Sequence, residues 1–377
     1  RVAGDDRSAE GFADEAVFPG WDQNNDFISD FNQNSNLFSE NRFPDYDEPF
    51  LRYGSDRPEY LYGIDLNNNG WVDQFENDNL PDYPYKKNRK GYNLYLRNQV
   101  NPHLQITGGQ TREELLSDAR ENVTTYGLVA FEKEYPRLGR LRIFDMFKKA
   151  QDDIQDDLFQ WVQNPGLPGA HQQIADPLFA QDTWINTFWL GLDRRNNAGI
   201  NLTNKFKYET VRQRKDDQSR SFKNDTRFLG IINKVDYLFR YQRLTFRPKF
   251  KSELLKDNTP YSMGAVQGER EEWVRLFFLV CEFPVLRKTS IELGVEQMFS
   301  SDLRLDEDEL EAGDFTQDFR STVLAAQLTN RGNYVGYRLT TQLGYSIRRT
   351  SREVVDEDSR SQTDSTVFMT VFASLEE

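Results

Sequence analysis

The 377-residue sequence contains one cysteine, Cys281, and two histidines, His103 and His171. A single thiol excludes an intramolecular disulfide framework and any multi-cysteine metal cluster, and without Cys-x-x-Cys-His there is no c-type haem attachment. The longest apolar run, Leu276 to Cys281, falls far short of the roughly 20 residues that a membrane-spanning helix needs. Basic residues are in deficit, 47 Lys and Arg against 61 Asp and Glu, for a formal net charge of −14. Nucleic-acid backbones are bound by cations that displace counterions, so this balance argues against a nucleic-acid partner. No charged-then-apolar leader opens the sequence, so either it was removed or the chain is a fragment. His-Glu-x-x-His, Gly-x-Ser-x-Gly and a phosphate-cradling glycine loop are all missing. The sequence therefore reads as a non-enzyme, with His103 and His171 as surface histidines and Cys281 as a packing residue.

What is there is unevenly distributed. Residues 1–85 hold 19 Asp and Glu against five Lys and Arg, whereas the remaining 292 residues hold 42 of each sign. The first hundred residues are dense in Asn, Asp, Pro and Tyr and show neither helical nor strand periodicity, a composition that favours turns and side-chain caps over ladders. From about residue 103 the spacing becomes period two, which sorts alternate side chains to opposite faces of a strand. Val335, Tyr337, Leu339, Thr341, Leu343, Tyr345 and Ile347 share one face, and Gly336, Arg338, Thr340, Gln342, Gly344, Ser346 and Arg348 the other. About 12 strands of roughly 10 to 15 residues are expected, an even number as closure of a bacterial barrel requires. Tight junctions are expected at 135–139, 194–199, 241–244, 283–286 and 330–333, alternating with long polar excursions near 150–182, 212–226, 256–270, 300–318 and 348–364. An amphipathic helix over 140–163 is the rival reading of that stretch.

Short turns alternating with long loops are the rhythm of an up-and-down transmembrane barrel. Over roughly residues 103–377 the chain resembles bacterial outer-membrane β-barrels of the porin type. The expected fold is thus all-β, an antiparallel up-and-down transmembrane β-barrel at 101–377, preceded by an acidic, irregular segment at 1–100 that is periplasmic or a plug. The resemblance implies a Gram-negative outer membrane, contact with its lipid, and passage of solutes or polypeptide through a lumen. One departure is the C-terminus, Phe372-Ala-Ser-Leu-Glu-Glu377, where such barrels usually finish on an aromatic residue. A soluble β-sandwich would alternate in the same way. Against it stand the strand lengths, about twice the usual five or six residues, and aromatic residues at strand ends (Tyr241, Phe283, Phe299, Tyr334, Trp184 and Trp273), which suit membrane interfaces.

Two local patterns carry chemistry. Asp65-Leu-Asn-Asn-Asn-Gly-Trp-Val-Asp-Gln-Phe-Glu76 places oxygen side chains at loop positions one, three, five, nine and twelve with Gly70 at six, the spacing that converges six to eight hard oxygens on Ca2+. It resembles the calcium loops of EF-hand, dockerin and thrombospondin type 3 repeats. Asp65, Asn67, Asn69, Trp71 through its carbonyl, Asp73 and Glu76 are the candidate ligands, and Gly70 permits the sharp turn. Asp22, Asn24, Asp26 and Asp30 repeat part of the spacing with Phe27 where glycine belongs. The alternative for both is a solvated Asn/Asp-rich turn. The second pattern is cationic: Lys205, Lys207, Lys234, Arg240, Arg247, Lys249 and Lys251 fall on polar strand faces and would line a lumen. There they either favour a small anionic solute or are neutralised by Glu209, Asp236, Glu253, Glu292 and Glu296. A joint reading seats the acidic segment in the basic lumen.

Three functions follow as expectations. The first is a barrel acting as a channel or transport component with structural calcium in its N-terminal segment. The second is a barrel scaffold in a larger surface, secretion or electron-transfer complex, its long loops contacting protein partners. The third is a soluble, calcium-stabilised β-sandwich binding module.

Overall fold

The computed structural model describes residues 53, 56, 58–68, 70, 72, 88–154, 158–162, 170–174, 180, 182–195, 199–214, 225–258, 270–303, 315–334, 337–354 and 357–375. The strands are β1 Arg89–Asn101, β2 Leu104–Leu115, β3 Glu121–Tyr135, β4 Gly139–Asp152, β5 Leu158–Val162, β6 Ala170–Ile174, β7 Thr183–Arg195 and β8 Ile200–Gln213. They continue with β9 Thr226–Tyr237, β10 Phe239–Tyr241, β11 Leu244–Asp257, β12 Arg270–Leu286, β13 Thr289–Asp302, β14 Phe315–Tyr334, β15 Tyr337–Val354 and β16 Glu357–Leu375. One 14-stranded sheet runs in the order β1-β2-β3-β4-β7-β8-β9-β11-β12-β13-β14-β15-β16, with β10 pairing β11 as a broken extension of β9. Neighbouring strands of this sheet are antiparallel, for example β3 with β4 and β15 with β16. The β5–β6 hairpin is separate and lies within the β4–β7 connection.

The antiparallel up-and-down order is the one expected from period two. Residues 140–152 are strand, which settles the rival helix: Phe144, Met146, Lys148 and Ala150 alternate onto one buried face. No second large sheet packs on the first among the described residues, so the sandwich is not the architecture. Three details differ from expectation. The sheet starts at Arg89, one strand earlier than the period announces. The tight connections expected at 283–286 and 330–333 fall at 287–288 and 335–336, because β12 continues through Pro284 with an irregularity before Leu286 and β14 continues to Tyr334. The long excursion expected at 348–364 is instead a long hairpin, with Arg348 opposite Asp364 and Arg352 opposite Arg360.

One end of the sheet gathers the tight connections at 102–103, 136–138, 196–199, 242–243, 287–288 and 335–336. The other end carries 116–120, 153–182, 214–225, 258–269, 303–314 and 355–356. Because β1 adds a strand, the described sheet enters at the long-loop end and leaves at the tight-turn end.

The two faces differ in what they meet. Register aligns the outward side chains into rows: Leu279 opposes Val295, Val295 opposes Leu324, and Leu324 opposes Ile347. On this face Val129, Phe147, Val235, Phe277, Leu279, Leu293, Leu324 and Leu343 are 37 to 54% exposed, an apolar surface spread across the sheet. The opposite face holds the buried side chains, including Tyr126, Met146, Trp189, Ile232, Leu255, Leu276 and Val323. Tyr53, Tyr60, Tyr62 and Leu66, upstream of β1, pack among them. The described residues between 53 and 68 pack against strands from β3 to the β12–β13 pair, so the sheet curls around this segment as the wall of a barrel around a plug.

Candidate functional site

The plug climbs the inner face from the tight-turn end to the long-loop end, and a separate contact marks each step. Tyr53 lies lowest. Its hydroxyl donates to Asp236 Oδ2 at 3.2 Å, its ring packs with Leu276 and Met298, and Lys249 Nζ sits 4.9 Å from the ring centroid. A single 3-10 turn at Pro58–Tyr60 follows, where proline's fixed φ suits the first position. Tyr60 inserts among Phe228, Ile232 and Leu255, edge-on to Phe228, and donates to the Leu254 carbonyl at 3.1 Å. Gly230 makes this possible, since a Cβ there would lie 2.7 Å from the Tyr60 ring. Two residues on, Tyr62 stacks on Trp189 with centroids 3.8 Å apart and an interplanar angle of 23°. Tyr62 and Leu66 complete a cluster with Tyr126, Leu128, Phe144 and Met146.

Between Tyr53 and Tyr60 lies the main electrostatic feature. Asp56 is nearly buried and meets three lysines from three adjacent strands. Its Oδ2 pairs with Lys205 of β8, and its Oδ1 lies 2.7 Å from Lys234 Nζ of β9 and 3.3 Å from Lys251 Nζ of β11. Lys251 also meets Glu253 Oε1 at 2.6 Å, and Lys207 meets Glu209 Oε2 at 3.4 Å. Burial alone would push the Asp56 carboxyl up, but Lys251, Lys234 and Lys205 outweigh it and hold the group well below the usual carboxylate range.

The upper end is the half of the calcium-type loop that is described. Asp65 Oδ2 lies 3.0 Å from the buried Lys148 ammonium, which also donates to the Asp65 carbonyl. Asp65 Oδ1 is buried and accepts no hydrogen bond among the described residues. Asn68 adopts φ 57° and Gly70 φ 87°, left-handed conformations that asparagine and glycine tolerate best. Asn68 Nδ2 lies within hydrogen-bond distance of Thr124 Oγ1 (2.9 Å), Asp152 Oδ2 (3.0 Å) and Asn122 Oδ1 (3.3 Å), and Asn122 Nδ2 donates to the Leu66 carbonyl at 2.9 Å. The loop is thereby bolted to β3 and β4.

Of the expected calcium ligands, Asp65 and Asn67 are placed on this loop, with Asn67 buried. Asn69, Trp71, Asp73 and Glu76 lie outside the described residues, as do Asp22, Asn24, Asp26 and Asp30. Among the described residues no group of three or more His, Cys, Asp or Glu gathers as a metal-ligand set. Of the expected lumen cations, Lys205, Lys234 and Lys251 meet Asp56 of the plug, Lys249 lies against the Tyr53 ring, and Lys207 faces Glu209 and the Phe228 ring on the wall. Arg240 and Arg247 are exposed near the tight-turn end, where Arg247 meets Glu282 at 3.3 Å. Of the carboxylates expected to neutralise them on the wall, Glu209 and Glu253 meet Lys207 and Lys251, but the residue that joins three of the lysines is Asp56, which is not among the expected ones. Its flank Ser55-Asp-Arg-Pro58 carries no motif. The alternating Tyr60 and Tyr62 in an otherwise acidic stretch were the available sign that this segment packs. Lys148, the partner of Asp65, is 83 residues away and gave no sign in the sequence.

No protein-family profile matches the chain, and no curated protein matches it. Among solved structures, similarity is found to OmpTdeltaL8, a loop L8 deletion mutant of OmpT, an outer membrane protein of Vibrio cholerae. Identity is 7% and the TM-score 0.26, covering 75% of this chain and 90% of that one. A likeness at that score supports no statement about this chain.

Proposed function

We propose that the protein is an outer-membrane β-barrel serving as a channel or transport component, with a lumen occupied by its own N-terminal segment. The observation that carries this reading is the opposition of the two faces. Apolar side chains are exposed outward across the sheet, while the inward face, apolar and charged side chains together, is where the buried residues and the contacts with the plug lie. The dimensions agree with a bilayer. Trp273 and Phe283 bracket the outward face of β12, ten residues apart, which is about 33 Å along a strand. At a tilt of roughly 40° this becomes about 25 Å, the height of the apolar band between the aromatic girdles of outer-membrane barrels. Trp273 and Phe283 are 38% and 41% exposed, as girdle residues should be.

The test is solubility and conductance. The protein should be monodisperse only in detergent and should open in planar bilayers when the plug is loosened. A monodisperse particle in detergent-free buffer would sink the membrane reading. Silence in bilayers even after the Asp56 and Asp65 contacts are broken, with partner proteins copurifying, would turn the reading to a scaffold.

The plug is also where calcium belongs in this proposal. Asp65, Asn67, Asn69, Asp73 and Glu76, with the Trp71 carbonyl, would hold the ion, which would supply cross-linking of the loop rather than chemistry. The buried, unbonded Asp65 Oδ1 and the left-handed Gly70 fit such a donor set, with Lys148 remaining on Oδ2. Chelation should raise hydrogen exchange at residues 60–70 and leave the strands protected. Exchange that is the same with excess calcium or chelator would refute the site.

A further inference from the structure

The outward face of β12 to β15 carries arginines near its long-loop end, where the apolar band begins. Arg275 of β12 stands two residues from Trp273 towards the band, and the register runs from Arg275 to Phe299 of β13 and on to Arg320 of β14. In the next row Phe277, Gln297, Thr322 and Arg349 lie side by side on the same four strands. Period two puts all three arginines on the face of Leu279, Leu324 and Ile347. A guanidinium facing lipid is costly unless it reaches the interface or meets an anion. Arg275 Cζ lies 4.3 Å from the Trp273 ring centroid and 5.8 Å from that of Phe299, and its Nη2 donates to Ser301 Oγ at 3.2 Å. Trp273 and Ser301 are both nearer the long-loop end, so the side chain bends towards the interface. Arg320 Cζ lies 5.4 Å from the same Phe299 ring, and its Nη2 donates to Gln297 Oε1 at 3.3 Å. All these partners are neutral. Among the described residues no carboxylate pairs with Arg275, Arg320 or Arg349, and Arg275 Nε is buried without an acceptor. Other outward cations at this end do find carboxylates, Lys149 on Asp182 and Lys256 on Glu271.

We propose that Arg275, Arg320 and Arg349 form a binding site for the phosphate group of a lipid in the leaflet at the long-loop end, the outer one in a barrel of this kind. An anion is what the patch lacks, and the guanidinium fork matches phosphate oxygens. The residues that flank the arginines on the same face, Trp273, Phe277, Phe299 and Leu324, are apolar, so the ligand is a phosphate that carries acyl chains rather than free phosphate. Trp273 and Phe299 then lie against the first carbons of those chains. The inference rests on the membrane reading, because the face must meet lipid, but it needs neither an open lumen nor bound calcium.

The experiment places the full chain in phosphatidylcholine nanodiscs doped with phosphatidic acid or with diacylglycerol of the same acyl chains. After transfer to neutral detergent, mass spectrometry counts the doped lipid that stays with the protein. Wild type should retain phosphatidic acid and not diacylglycerol. Arg275→Gln and Arg320→Gln should each weaken retention about tenfold, the loss of one charge-assisted hydrogen bond. Arg120→Gln, which removes an exposed pair with Asp118, should leave retention unchanged. Equal retention of the two lipids, or equal losses in all three variants, would overturn the site. Inorganic phosphate at the same concentration should not displace the lipid, and complete displacement would make free phosphate the ligand and end the lipid assignment. If the arginine variants fail to fold, the comparison of the two lipids on wild type decides alone. A protein monodisperse without detergent fails the membrane reading as well, whereas one that needs detergent but ignores the lipid phosphate fails this inference only.

Discussion

Strands β3 and β16 belong to the same antiparallel sheet, yet they live in different surroundings. On β3 the inward residues Asn122, Thr124, Tyr126 and Leu128 are all buried, with relative exposures from 0 to 8%. On β16 every described side chain from Arg360 to Val367 is exposed, on both faces. β1 resembles β16, with only Arg89 partly covered. The difference is the plug, whose described residues touch the wall from β3 to the β12–β13 pair and leave the flanking strands without a described cover. Period two therefore states which side chains share a face, and a separate piece of chain decides whether that face is dry. The inner wall accordingly relies on contacts between residues far apart in sequence, and those contacts are where the comparison can be broken.

The largest effect is expected at Lys148. Replacing it with Met leaves Asp65 inside the barrel without its cation, and breaking a buried ion pair costs about 3–5 kcal/mol. Lys148→Met should release the loop from β3 and β4, seen as proteolytic cleavage near residues 65–70 and a lower melting temperature. The matching change on the uncovered flank, Asp364→Ala, removes only a contact with Gln362 at 3.1 Å and should stay within about 0.5 kcal/mol. Equal losses from the two substitutions would mean that the plug does not distinguish the wall from the flanks.

A somewhat smaller effect should come from the outer face. Leu279 lies midway between Trp273 and Phe283 on β12, so Leu279→Arg places a charge at the middle of the apolar band. In a bilayer this should cost about 2–4 kcal/mol, measured by denaturant unfolding in lipid vesicles. On a water-facing sheet the same change should fall within about 0.5 kcal/mol, which would remove lipid from the account.

How far these regions were legible in the sequence follows from the same physics. The wall strands from β2 to β14 are readable because the outward face is apolar from strand to strand while small and charged residues recur on the inward one, as at Leu229, Ile231 and Val235 against Gly230, Lys234 and Asp236, even though Phe228 and Ile232 also turn inward. The upper part of the β15–β16 hairpin reads as a loop in the sequence. There Arg348, Arg349, Arg352, Asp364 and Arg360 make both faces polar, and where neither face must be apolar the period carries no signal. β1 hid for a related reason: its outward Tyr92, Leu94 and Leu96 alternate, but Asn, Lys and Gln around them match the irregular composition upstream. The lysines of the site were visible as polar-face residues. Their counter-ion was not, because the Asp56 contacts span 149 residues to Lys205 and leave no local spacing. The calcium-type loop is the reverse case, a local pattern whose spacing is plain while its attachment to Lys148 and Asn122 is not.

The smallest expected effect is one of pH, and it separates the plug's two ends. Asp56 is held ionised by three lysines, so its folded-state affinity for protons is lower than in the unfolded chain. A carboxyl depressed in this way contributes stability that is fully present above its unfolded pKa, near 4, and is lost only as pH falls through the lower folded value. Between pH 7 and pH 5 the lower end of the plug should therefore stay seated, with unchanged hydrogen exchange at residues 58–62, and loosening should begin only in strongly acidic solution. Calcium bound at the upper loop would respond earlier, because protons compete with the ion for carboxylate ligands. Acidification should thus free residues 65–70 before residues 58–62, and the reverse order would show that the three lysines do not anchor the plug.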